Sequence, residues 1–313
     1  MSSTAVPTTT TPPAVVTTGQ EGTVARRVRR RMTSPWASLF AVVIAVVWTI
    51  PTFGLAISSI RPEDEIKGNG WWNWFANPQF TLQNYRDVLF GETGNLADFF
   101  VNSLVITVPA VLFSIFFAAL AAYGLSWMKF RGRDWIFIGI FSLQIVPLQM
   151  ALIPLLNIFS TWPGFSSLDP QGTGKFLTIW IAHIAFGLPL CTFLLHNFMS
   201  DLPGELMEAA RVDGADHARI FRSIVLPLIV PALASIAIFQ FLWIWNDLLV
   251  GLVFGTTETK PLTAALADLA GTRGNEWQRL TAGAFVSILL PIIVFIALQR
   301  YFVRGLLAGG LKG

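Results

Sequence analysis

Charge is what this chain has least of. Only 12% of its 313 residues are Asp, Glu, Lys or Arg, where a soluble domain carries roughly a quarter. An ordinary water-soluble globular protein is thereby excluded. Cysteine is all but missing: with Cys191 alone, no intrachain disulfide can form. The three histidines, His183, His196 and His217, lack the spacing of a metal site, so no metal is expected. Neither a Gly-x-Ser-x-Gly elbow nor a His-Glu-x-x-His helix occurs, and no catalytic residue is assigned. The stretch "DPQGTGKF" resembles a phosphate loop only superficially. Asp169 stands where the first glycine should be, and Phe176 stands where a Ser or Thr should hold magnesium. Enzyme chemistry has almost nothing to rest on, and any ATP or Mg must be held elsewhere than in this chain.

What is present is apolar length. Hydrophobic residues make up 54% of the chain, with 12 Trp and 26 Phe. Long apolar runs lie at 37–58, 100–125, 135–157, 177–198, 224–249 and 281–302. Each is close to the ~20 residues that a helix needs to cross hydrocarbon. None alternates like a barrel strand, so each reads as a helix. The expected fold is all-α, a polytopic membrane protein with six transmembrane helices over residues 36–303. Residues 1–35, rich in Thr, Pro and Ser before a basic cluster, read as a disordered tail. The first run is too long for a signal-peptide core and no small-residue cleavage site follows it, so it reads as an uncleaved span.

Basic residues set the orientation. Arg26, Arg27, Arg29, Arg30 and Arg31 precede the first span. Lys129, Arg131 and Arg133 follow the second, Arg211, Arg219 and Arg222 the fourth, and Arg300, Arg304 and Lys312 close the chain. They outnumber Arg61, Lys67, Arg86, Lys175, Lys260, Arg273 and Arg279 on the other side. The positive-inside rule then puts both termini in the cytoplasm. The net charge of +3 is explained as topology, and nucleic acid need not be invoked.

Polar residues inside the spans are candidates for a path. Gln144, Gln149 and Asn157 sit in the third span with Pro147 and Pro154, each of which removes a backbone hydrogen bond. His183 lies in the fourth span and Gln240 in the fifth, which ends in Trp243, Trp245, Asn246 and Asp247. Facing lipid would be costly, so these groups should turn toward protein or a water-filled route. For each amide and for His183, a hydrogen bond between helices is an equally bland explanation. Asp247 has one too, reaching out to the interface. Ala118, Ala119, Ala121, Ala122 and Gly124 give the second span a face that lets another helix approach closely. Trp71, Trp72 and Trp74 read as an interfacial anchor. After Pro261, "PLTAALADLA" predicts one short helix in the loop 255–280.

The most informative stretch is polar: "MSDLPGELMEAARVDGADHARIFRSIVLPLIVP". Ser200 or Asp201 is expected to cap a helix, with Pro203 in its first turn and Glu205 and Glu208 near its positive end. Gly214 fits the left-handed residue that stops it. Asp216 is expected to cap a second helix carrying Ile220, Phe221 and Ile224 on one face, and Pro227 to turn the chain into the fifth span. The result is a helical hairpin, 201–226, on the basic side of the membrane.

Glu208, Ala209, Ala210, then Asp213-Gly214, then Ile224, Leu226 and Pro227 match at every position the EAA signature of permease subunits of binding-protein-dependent ABC importers. "VPLQMALIPL", "FLWIWNDLLVGLVF", "LTAGAFVSILLPIIVFIALQRYFVRGLLAGG" and the terminal "LKG" are similar to the second permease of carbohydrate importers of the maltose and α-glucoside type. The likeness covers residues 36–313. It implies a type I importer permease fold in a bacterial plasma membrane, paired with a homologous first permease. It also implies a cytoplasmic ATPase dimer that carries ATP and Mg, and an extracytoplasmic sugar-binding protein. The hairpin would dock into the ATPase, and the tail 304–313, with Gly309, Gly310 and Lys312, would reach the same interface as an extended or flexible segment. The rival is a secondary transporter or channel acting without an ATPase. It would need ionisable residues at mid-membrane, and no Asp, Glu, Lys or Arg lies near a span centre.

Overall fold

The computed structural model describes residues 35–91, 95–161, 176–272 and 276–310, and within them every regular element is helical. The leader 1–34, residues 169–175 of the pseudo-phosphate loop and Lys312 lie outside the described residues. The chain divides at Gly54 into two compact units. The first contains most of α1 (Pro35–Ser59), which is predominantly apolar and exposed from Pro35 to Phe53, with Trp36 77% and Trp48 78% exposed. Such a surface needs lipid or another protein around it.

The second unit holds the remaining elements. Two short helices, α2 (Glu63–Gly68) and α3 (Gln83–Phe90), flank a 3-10 turn, Trp71–Phe75. Four long helices build the bundle: α4 (Leu96–Trp127), α7 (Leu177–Ser200), α10 (Leu226–Trp245) and α13 (Trp277–Gly310). With α1, they make five helices long and apolar enough to cross a membrane.

The third expected span is not one helix. It is α5 (Arg133–Ser142), prolonged by a 3-10 turn Leu143–Ile145, and α6 (Leu148–Thr161), which meet at 106°. The reason is local. Pro147 drives the residue before it out of helical geometry, and Val146 is extended at φ −73°, ψ 117°. Pro154 lies inside α6 without ending it. The two prolines, each expected to remove a backbone hydrogen bond, therefore act differently: the chain breaks at Pro147 and the helix continues through Pro154.

Helix α4 packs against α7 through the expected small-residue face, where Ala118, Ala119 and Ala122 are buried. They join Leu195, Met199, Met207, Ile220 and Ile229 in one of two core clusters. The other cluster, around Ile106, Ala110, Ile179, Phe241 and Trp245, fills the opposite end of α4, α7 and α10. There α11 (Leu249–Phe254) and α12 (Leu262–Thr272) close the bundle, the latter being the short helix expected after Pro261. Leu262 donates its N–H to Ser103 Oγ at 2.8 Å, and Asn102 Nδ2 donates to the carbonyls of Glu258 and Lys260 at 2.8 and 3.1 Å. This loop is fastened to α4.

The tail expected to be extended or flexible is helical through Gly310, a continuation of α13 that runs through Gly305.

Candidate functional site

The hairpin forms at the end of the bundle where α4 and α7 both finish. Helix α8 (Gly204–Val212) begins after Pro203, with Glu205 in its first turn. The N-cap position falls not on Ser200 or Asp201 but on Pro203, which has no side chain that can cap it. Ser200 is still part of α7, and Leu202 N–H closes back on Met199 at 3.3 Å. The helix stops as its sequence predicts. Gly214 sits at φ +78°. Its N–H donates to the Arg211 carbonyl at 3.0 Å, and Ala215 N–H donates to Ala210 at 2.9 Å. These paired bonds make the Schellman termination, which glycine alone enters without steric cost.

Asp216 then caps α9 (His217–Ile220), its Oδ1 accepting the Arg219 N–H at 2.8 Å. The expected turn at Pro227 is absent. From α9 the chain passes through a π-helical segment, Phe221–Val225, straight into α10, one continuous helix of 29 residues from His217 to Trp245. A proline within a helix clashes with the carbonyl four residues back. The wider π segment lies over that carbonyl, at Ser223, and relieves the clash without ending the helix.

Glu208, Ala209, Asp213 and Gly214 are exposed, whereas Ala210 and Met207 are buried. Ile224 and Leu226 are half-buried and pack on the lower core cluster, and Pro227 is exposed. One face of α8 thus roots the hairpin, and the opposite face presents an acid and a methyl at low profile. The root is braced by residues that no motif points to. Tyr123 Oη lies 3.0 Å from His217 Nδ1, its ring meets Phe221 edge-on at 5.2 Å, and Arg211 Nη2 donates to the Trp127 carbonyl at 3.4 Å.

The sequence's candidate path residues do not form one site. Gln144, Pro147 and Pro154 do come together, lining a cavity of about 740 Å³ at the bend between α5 and α6. Trp243 of α10 closes it opposite them. Gln149 and Asn157 are exposed on α6 and are not among its walls. His183 and Gln240 are buried between helices. Among the described residues, His183 Nδ1 and Gln240 Nε2 have no hydrogen-bond partner, and Gln240 Oε1 accepts only a long contact from Cys191 Sγ at 3.5 Å.

Trp245 is 3% exposed and belongs to the core, donating to the Ser287 carbonyl at 3.0 Å and stacking on Phe241 at 5.7 Å. Asn246 bonds back to Leu242 at 2.8 Å. Asp247 does not snorkel: its Oδ2 accepts the Val250 N–H at 2.8 Å and starts α11, while its carbonyl accepts from Thr263 Oγ1 at 2.6 Å. In the sequence Trp243 stands out only as one of the residues that end the fifth span. The signal for its role is spacing: two positions from Trp245, it must face roughly the other side of the helix.

Known proteins agree with this architecture. The family described as "Binding-protein-dependent transport system inner membrane component" matches residues 110–307, well over half of the chain. The chain is 49% identical over 275 residues to the osmoprotective compounds uptake permease protein GgtD of Synechocystis sp., covering 86% of this chain and 89% of that protein. It is 51% identical over 238 residues to the alpha-glucoside transport system permease protein AglG of Rhizobium meliloti, covering 75% of this chain and 61% of that longer protein. A chain in the crystal structure of a bacterial ABC transporter that imports the acidic polysaccharide alginate superposes with a TM-score of 0.64, over 86% of this chain and 98% of that one. At 23% identity, that likeness concerns the fold.

Proposed function

The chain belongs to the binding-protein-dependent transport system inner membrane components, and from that premise we propose that it passes an α-glucoside or related oligosaccharide into the cytoplasm. It does so as one permease of an ATP-driven importer in a bacterial plasma membrane. A homologous permease completes the pore, an extracytoplasmic binding protein delivers the sugar, and a separate ATPase dimer holds ATP and Mg. Both termini lie in the cytoplasm. The hairpin 201–226 seats Glu208, Ala209, Asp213 and Gly214 in a cleft of the ATPase, with Ala210, Ile224, Leu226 and Pro227 forming its root. Gly309, Gly310 and Lys312 lie beside the same interface.

The observation that carries this reading is the hairpin itself. An exposed acid and alanine stand on a helix stopped at Gly214, and the helix after that glycine runs without interruption into a span. A force applied at the knob therefore reaches α10 along one rigid element. The sugar class is supported by relatives named for alpha-glucosides and for arabinooligosaccharides. The test is reconstitution of the complete complex in vesicles with labelled α-glucosides. ATP-dependent uptake that disappears without the ATPase is expected. Uptake that persists without it would establish the secondary-transporter alternative.

A further inference from the structure

Two tryptophans on α10, two residues apart, have opposite fates. Trp245 is sealed in the core with its N–H bonded. Trp243 is 40% exposed and forms a wall of the cavity at the broken span, and among the described residues its indole N–H meets no acceptor. The buried His183 ring abuts it edge-on at 6.3 Å and 83°, fixing the plane of the indole from behind.

The other walls supply hydrogen-bonding groups of one kind. Gln144 contributes an amide. Pro154 and Pro189 line the cavity and lack the N–H that would close on the carbonyls four residues earlier. Those carbonyls belong to Met150 and Ala185, which line the same cavity. The two prolines thus leave these helical carbonyls without their usual donors, and the cavity wall adds one amide, one free N–H and one aromatic face. Among the described residues no wall carries a charge. At about 740 Å³ it lies within the usual size of a small-molecule site.

A ligand that fits must be neutral and must both donate and accept through many hydroxyls, with an apolar ring face to lie on the indole. Resting on the reading of this chain as a sugar permease, we propose that the chain grips the sugar itself. Trp243 is the stacking platform, Gln144 is a polar contact, and the uncharged walls select neutral over acidic saccharides. A carboxylate in this cavity would be desolvated with no cation to meet it.

The test uses the complete complex in vesicles. The readout is sugar moved per ATP hydrolysed, for a neutral α-glucoside and for the same sugar oxidised at C6 to the uronate. Trp243→Ala is expected to lower the ratio for the neutral sugar about tenfold, the scale of a lost aromatic contact. Trp243→Phe should retain most of it. Gln144→Arg should raise the uronate ratio relative to the neutral sugar.

The proposal is overturned if Trp243→Ala leaves the ratio unchanged, or if Gln144→Arg leaves uronate discrimination where it was. It is also overturned if a diazirine-bearing sugar, trapped in the complex, labels the sibling permease and never residues 143–158 or 239–246 of this chain, a result that would leave a lipid chain or a partner helix as the occupant. A wild-type complex that moves no sugar with ATP would instead refute the broader reading.

Discussion

The hydroxyl of Tyr123 and Nδ1 of His217 stand 3.0 Å apart, joining the last turns of α4 to the second helix of the hairpin. The bond crosses 94 residues of sequence and is the side-chain latch that holds the hairpin's root against the bundle. Tyr123→Phe keeps the ring contact with Phe221 and removes only the hydroxyl. A hydrogen bond of this kind contributes about 1 kcal/mol. We expect amide hydrogen exchange across residues 204–220 to quicken about fivefold, with membrane insertion unchanged. Unaltered exchange would mean that the bond does not restrain the hairpin.

Gly214 provides a cleaner test of the hairpin's shape. A Cβ added there would meet nothing within 4 Å, so the cost of a side chain is that of φ +78° alone. For a β-branched residue this is about 1–2 kcal/mol, and Asn tolerates the region better. Gly214→Val should therefore reduce co-purification of the ATPase and uptake together, and Gly214→Asn should reduce both less. Equal losses in the two variants would indicate a requirement for an empty surface in place of a backbone requirement.

Helix interiors and the hairpin could be read from sequence because their causes are local: apolar length, a glycine stop, an acid cap at Asp216. Misreadings arose where the cause is a neighbour's geometry. Pro147 and Pro154 look alike in sequence, yet only Pro147 follows a residue that takes extended geometry, at the end of a 3-10 turn. Pro227 looks like a turn, but the π segment before it absorbs the clash. Trp243 and Trp245 share a motif, and only the packing of Ser287, Phe241 and Phe100 around one of them shows which is free.

Close packing at Gly187 predicts a coupled pair. A Cβ there would lie 2.0 Å from Gln240 Nε2, the end of a side chain that can rotate away only at the expense of a tight core. Gly187→Ala alone should destabilise the α7–α10 contact by about 1–3 kcal/mol. Combined with Gln240→Ala it should cost much less than the two changes separately, because the second removes the obstacle. Thermal unfolding of the detergent-solubilised complex measures both. Additive losses would show that the two residues do not meet.

The last prediction concerns the loop between α10 and α13, which we propose faces the binding protein and helps release its sugar. Its start is anchored: Ser103 accepts the buried Leu262 N–H, and Asn102 holds two carbonyls. Gly251 leaves room for Pro261, since a Cβ there would come within 2.4 Å of the proline ring. A segment so fastened presents fixed positions to a partner, and Thr257 and Asp268 are exposed on it. Thr257→Cys and Asp268→Cys should therefore crosslink to the binding protein in the nucleotide-trapped complex. Ser103→Ala strands the Leu262 N–H, which costs about 1–3 kcal/mol, and should blunt both crosslinks and sugar release without affecting insertion. If neither cysteine crosslinks while positions in the 3-10 turn Trp71–Phe75 do, the binding protein sits on the first outer loop and this segment only closes the bundle.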